Sequence, residues 1–139
     1  MAVKISTGLR NAILDSGLQA VFDSGILEIR SATRPADADT APAGTVLASI
    51  TLPADAFAAA SAGAIAKSGT WQDASADATG TAAWFRFKQS GDLGTTNATD
   101  ERLDGDVGTS GSDMNLDNTS IASTQQVTIS TGSITLPAS

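Results

Sequence analysis

The sequence predicts a mainly β protein, a single β-sandwich or jelly-roll-like domain entered through one amphipathic helix. Three observations carry this. Beyond residue 25 the apolar residues recur at every second position in short runs, which is the period of a strand. Turn-forming clusters of Gly, Pro, Asn, Asp and Ser return about every ten residues, the spacing of sandwiches and barrels. Only the first stretch carries a helical period. The chain has 139 residues, a length that suits one domain spanning 1–139.

The helix is expected over about 7–22. Leu9, Ile13, Leu18, Val21 and Phe22 gather on one side of a 3.6-residue wheel, with Leu14 at the margin. Ser6 or Thr7 offers an N-cap hydroxyl, and Gly25 is placed to supply the left-handed stop. This stripe predicts that Ile13→Asp blocks folding or assembly. After it come about seven or eight strands. Leu27 and Ile29 alternate with Glu28 and Arg30; residues 33–44 form a Pro-containing loop; and 45–52 is a strand closed by Pro53. The Ala-rich segment 55–66 fits a short helix or a loop and strand. Trp71 opens a strand and turn. Residues 81–89 form the best strand, with Phe85 and Phe87 on one face and Trp84, Arg86 and Lys88 on the other, so both faces are expected to be covered. The Gly- and Asp-rich span 90–113 reads as a long hairpin with an exposed tip, Met114 and Leu116 as a further strand, and the phase slip between Ile129 and Ile134 as a bulge or corner at Gly132.

Composition bounds the chemistry. Cys, His and Tyr are absent, which removes thiolate metal sites, the side chain that titrates near neutrality, and the usual base of Ser nucleophiles. No enzyme is expected and no cofactor. The net charge is −7 and the eight basic residues are scattered, an arrangement unsuited to phosphate-backbone binding, so no nucleic acid is expected to be read by sequence. No run approaches the roughly 20 apolar residues of a membrane span, and no apolar leader is visible, so synthesis in a cytoplasm is expected. Leu, Ile, Val and Phe number only 28. Such a thin apolar stock predicts modest stability for a single copy and extra burial against neighbouring subunits.

Four groups of residues are candidates for a site. Asp104, Asp106 and Asp113 lie on a Gly-rich segment and could offer hard oxygens to calcium, but their spacing departs from an EF-hand loop and is that of a solvated turn, so no metal is expected. Trp71 and Trp84 could fill the core, form a subunit contact or stack on a ligand. Leu9 and Ile13 are interface candidates on the helix. Gly108-Thr109-Ser110-Gly111 lacks the Lys and following helix of a phosphate loop. No pair of carboxylates is singled out by spacing.

Several stretches resemble one family: the opening segment 1–15, the Leu27-Glu28-Ile29-Arg30 strand with its Ala/Pro/Asp/Thr loop, Gly69-Thr70-Trp71-Gln72-Asp73 and its continuation to Ala82, and Met114-Asn115-Leu116-Asp117-Asn118 to Ile121. Together they are similar to small proteins encoded in the structural-gene regions of tailed bacteriophages and prophages. The resemblance spans nearly the whole chain and brings no catalytic residues. It implies a virion protein made in the host bacterial cytoplasm. Capsid decoration or cement comes first, with the major capsid protein as partner and a homo-oligomer within the lattice. A neck or tail tube or connector component is the alternative. A host-surface or glycan-binding module using the Asp-rich loop and the tryptophans is the alternative of another class.

Overall fold

The computed structural model describes residues 3–138. It is mainly β, with one helix at the N-terminal end. The helix begins as α1 (Thr7–Ile13), passes through a π-helical turn (Leu14–Gln19) and ends as α2 (Ala20–Phe22). Among the described residues eleven strands follow: β1 (Ile26–Arg30), β2 (Val46–Thr51), β3 (Ala64–Ala66), β4 (Trp71–Asp73), β5 (Gly80–Thr81), β6 (Trp84–Lys88), β7 (Arg102–Gly108), β8 (Met114–Asn115), β9 (Ser120–Ile121), β10 (Val127–Ile129) and β11 (Ser133–Thr135). The number exceeds the expected seven or eight because several are two- or three-residue ladders too short to show a period. One curled sheet has the order β2-β1-β6-β7-β8, and the pairs β10-β4, β11-β3 and β5-β9 form separate two-stranded ladders. All pairings are antiparallel except β7 with β8. No described helix is long and apolar enough to cross a membrane.

The helix occupies its expected span, and Ser6 caps it by accepting a hydrogen bond from the Leu9 amide at 3.2 Å. Its inward face differs from the expectation. Leu14 is 1% exposed, whereas Leu9 and Ile13 are 49% and 44% exposed. The reason is polar. Asn11 Oδ1 accepts from the Gly63 amide at 2.8 Å and Asp15 Oδ1 from the Ala60 amide at 2.7 Å. Residues 11, 14, 15, 18 and 22 therefore share the face turned to the protein. The second half of the expected stripe holds, with Phe22 buried and Leu18 and Val21 packed against the core, whereas in the first half polar contacts with a loop displace Leu9 and Ile13. The stop also moves by one residue. Ser24 takes the left-handed conformation (φ 59°), and Gly25 is needed for close approach, since a Cβ there would lie 2.6 Å from the Lys88 carbonyl oxygen.

The core lies on one face of the five-stranded sheet. Leu27 stands opposite Ile50 on β2 and Phe87 on β6, and Ile29 opposite Ala48 and Phe85. All six side chains are buried. Phe87 is the hub of an aromatic cluster, with ring centroids 5.6 Å from Trp71, 5.7 Å from Phe22 and 6.1 Å from Phe57. These rings come from the helix and from the segment around β3 and β4, so the cluster joins the short ladders to the main sheet. Trp71 Nε1 donates to the Ala56 carbonyl at 3.1 Å, which satisfies its polar atom inside the core. The ambiguous segment 55–66 resolves as loop and strand. The corner at Gly132 is present: β10 and β11 belong to different ladders, and the Gly132 carbonyl accepts from the Lys67 amide at 2.8 Å.

The span 90–113 does close the expected hairpin, β6 pairing antiparallel with β7 across a mostly exposed loop at 89–101, but its second half is not tip. It contains β7, which lies within the main sheet between β6 and β8. Gly105 makes this possible. It stands opposite Phe85, and a Cβ there would sit 2.5 Å from the Phe85 ring. The aromatic ring occupies the volume that any other residue would fill.

Candidate functional site

The second face of the sheet carries the densest group of polar side chains. By register, Glu28 of β1 stands opposite Arg86 of β6, and Arg86 opposite Asp104 of β7. Arg86 forms a bidentate pair with Asp104, both N···O distances being 2.7 Å, and its Nη1 donates to the Thr40 carbonyl at 3.0 Å. Glu28 accepts from Arg30 at 2.8 Å and from Lys88 at 2.7 Å. Arg102 pairs with Asp92 through two bonds of 2.6 and 2.7 Å, and with Asp100 at 3.2 Å. The Arg30 and Arg86 guanidinium carbons lie 5.9 and 5.4 Å from the Trp84 ring centroid, within cation–π range.

This layer is dry because two loops close over it. The expected cover for both faces of β6 is therefore found. Trp84 Nε1 donates to Ser31 O, Arg30 Nη1 to Gly44 O, and Arg102 to Ala38 O, Asp39 O and Thr95 O. Loops 31–44 and 89–100 are thus held by carbonyls that the buried guanidiniums need as acceptors. Burial alone pushes Glu28 up, but the bonds from Lys88 and Arg30 prevail and hold its carboxyl below the usual range. The bonds from Arg102, aided by the Gly94 amide, bring Asp92 down to about 2 against burial. Glu28, Asp92 and Asp104 each accept from a cation of the same layer, an arrangement that fixes the covering loops.

The candidate residues are dispersed rather than convergent. Asp104 is committed to Arg86 and 4% exposed at the side chain; Asp106 Oδ1 takes Arg34 Nε at 2.9 Å; Asp113 Oδ2 accepts from the Asp106 amide at 2.9 Å. Each of the three carboxylates serves a protein donor, and among the described residues no group of three or more acidic side chains is placed to hold a metal ion. Trp71 and Trp84 are 1% and 0% exposed, which corrects their reading as interface candidates, because core packing and the cation layer consume both rings. Leu9 and Ile13 remain exposed. Leu93 joins them at 87% exposure, presented by a loop whose preceding residue, Asp92, is pinned by Arg102.

Sequence reasoning missed the buried partners Asp92 and Arg102. Their signal was present as an acidic residue, Asp92, in the loop between a strand that carries Arg86 and Lys88 and one that opens with Arg102, but it becomes legible only once the register is known. Two of the surface openings lie beside these residues or along the late strands. A cleft of about 280 Å³ lies where β7 approaches β11, lined by Phe85, Leu103, Gly105, Asp113 and Ile134. A shallow hollow of about 370 Å³ is lined by Leu116, Asn118, Gln125 and Val127 among others, with Asp117 its sole titratable group. Neither opening gathers two titratable side chains free of a partner. No family model matches the chain, and no curated protein or solved structure is significantly similar to it.

Proposed function

We propose that this chain is a structural subunit of a tailed-bacteriophage virion, acting by assembly rather than by catalysis, with capsid decoration as its role and a neck or tail position as the alternative. The observation that supports this reading best is where the chemistry is spent. Buried cations and carboxylates are paired with one another to hold loops, while the surface presents Val3, Leu9, Ile13 and Leu93 between 44% and 87% exposed. Such a surface offers contacts to other chains. The resemblance of segments 1–15, 69–82 and 114–121 to phage structural proteins gives those contacts a context. In the same reading the fold is a small β-sandwich, the five-stranded sheet facing the β4–β10 and β3–β11 ladders across Phe57, Trp71 and Phe87. The host-surface or glycan-binding alternative has less support, since the two tryptophans and Asp104 are buried and engaged.

Quantitative mass spectrometry of virions purified from cells carrying this gene tests the proposal. On the order of hundreds of copies per particle means decoration, and about six or twelve means a neck or tail ring, following the symmetry of each location. Absence from particles overturns the proposal.

A further inference from the structure

The two edges of the main sheet are finished differently. Along β2 the outer edge is covered: the Ser49 amide donates to Asp73 Oδ2 at 2.9 Å and the Leu47 carbonyl accepts from the Asp77 amide at 2.8 Å. Along β7 the cover is partial. The Val107 amide donates to the Ala83 carbonyl, so in the antiparallel β6–β7 ladder the main chains of Leu103, Gly105 and Val107 face β6, and those of Arg102, Asp104 and Asp106 face outward. Asp106 is capped by Asp113, and beyond it β8 takes over at Val107 and Gly108. Among the described residues, the amides and carbonyls of Arg102 and Asp104 have no partner. Water reaches them: the two side chains are 1% and 4% exposed, yet each residue as a whole is only half-buried, so the exposed part is main chain.

An unpaired strand edge is a template for another strand, and proteins usually guard one with free charges. Here the guards are occupied. Asp104 is tied to Arg86, Asp106 to Arg34, and Arg102 to Asp92. We infer that this edge is a seam between two copies of the chain, β7 pairing antiparallel with β7 of the second copy about a two-fold axis through Leu103. The register argues for a second copy as the occupant, because the edge is complementary to itself. Centred on Leu103, Arg102 stands opposite Asp104 of the other copy and Asp104 opposite its Arg102. Both pairs have outward main chains, so four N–H···O=C bonds form, and each places an arginine already neutralised by Asp92 beside an aspartate already neutralised by Arg86, with no like charges opposed. A slide in one direction sets Asp104 against Asp104 and Arg102 against Asp106, whose amide is already held by Asp113. A slide in the other sets Arg102 against Arg102. Only the central register satisfies all the free groups. Leu103 then meets its own copy on the core face, at the mouth of the cleft beside Phe85 and Ile134. The seam rests on the assembly reading, of which it supplies one specific contact.

The chain has no cysteine, so Leu103→Cys places a single thiol on the proposed axis. Residues directly opposite in such a pair have Cα atoms about 4.5 Å apart, within disulfide reach. Under mild oxidation the variant is expected to become a disulfide-linked dimer in high yield, while Leu93→Cys, equally oxidisable but off the seam, stays largely monomeric on a non-reducing gel. Light scattering of the native chain is expected to give twice 13.9 kDa or a multiple of it, and Leu103→Lys, which sets two ammonium groups face to face, is expected to halve that mass with an unchanged circular dichroism spectrum. A native oligomer whose Leu103→Cys variant does not cross-link overturns the seam and leaves the assembly reading standing. A native monomer with no cross-link overturns the seam and the homo-oligomer together, leaving the edge to a strand of a different protein.

Discussion

Replacing Asp92 with Asn should destabilise the fold by about 3 kcal/mol at pH 7, and by less in acid. Asp92 is 7% exposed and accepts two bonds from Arg102 and one from the Gly94 amide at 2.7 Å. An amide of the same shape turns one acceptor into a donor facing a guanidinium, so a buried cation loses its principal partner. Breaking one half of a buried pair costs roughly 3–5 kcal/mol. The lower end applies because Arg102 keeps Asp100 at 3.2 Å and the Thr95 carbonyl at 2.9 Å. For a chain of this length, 3 kcal/mol lowers Tm by about 10 °C. The pH sign follows from the depressed carboxyl. Its folded value is about 2 against an ordinary 3.8, so the stabilisation is fully present above about pH 4 and is lost as pH falls through about 2. That linkage is on the order of 2 kcal/mol. Urea denaturation of both proteins at one concentration, at pH 7 and at steps down to pH 2, measures it. The difference between the two proteins reads Asp92 together with Asp100, which shares Arg102 with it. A difference below about 0.5 kcal/mol at pH 7, or one that does not shrink in acid, would refute the assignment of Asp92 as the anchor of Arg102.

Gly105→Ala should cost about 1–3 kcal/mol, because its Cβ would meet the Phe85 ring at 2.5 Å and force the ring or the strand to move; the shift in urea midpoint reads this directly. On the helix, Leu14→Ala should cost about 2–5 kcal/mol as a core truncation, whereas Ile13→Asp should leave the urea midpoint of the isolated chain nearly unchanged and reduce incorporation into particles, a contrast that equal losses for the two variants would contradict. Adding calcium or EDTA should shift Tm by less than about 1 °C in a thermal melt, since Asp104, Asp106 and Asp113 all serve protein donors.

The residues that revealed the fold are those whose burial and period coincide. Leu27, Ile29, Phe85 and Phe87 alternate and are buried, and Ser6 sits one position before a helix and caps it. Where the two signals separate, the sequence misleads. Asn11 and Asp15 are polar yet reach a loop that offers them amides, so the first turns of the helix are rotated from the stripe drawn through Leu9 and Ile13. Strands of two or three residues, such as β5 and β9, hold no full period and exist only through their partners. The stretch 100–108 reads as a loop by composition, yet Gly105 is a strand residue shaped by the ring above it. Composition records what a residue prefers alone; here the neighbour across the ladder decides.

The polar layer shows why its pattern could not be read from single strands. In β6, Arg86 and Lys88 alternate with Phe85 and Phe87, the usual mark of a sheet with one wet face. In the register adopted, Lys88 stands directly opposite Arg102, a like-charge pair that should disfavour this alignment. The conflict is resolved away from the ladder: Lys88 turns to Glu28 on β1 at 2.7 Å, and Arg102 turns to Asp92 in the preceding loop at 2.6 Å. Each cation is drawn to its own carboxylate on the opposite side, and the loops that cover the face bring the acceptors needed to desolvate both. The register of β7 against β6 therefore depends on a residue outside either strand. Without Asp92, the apolar pairing of Leu103 with Phe87 and the fit of Gly105 under Phe85 would still favour the alignment, but two buried cations would oppose it.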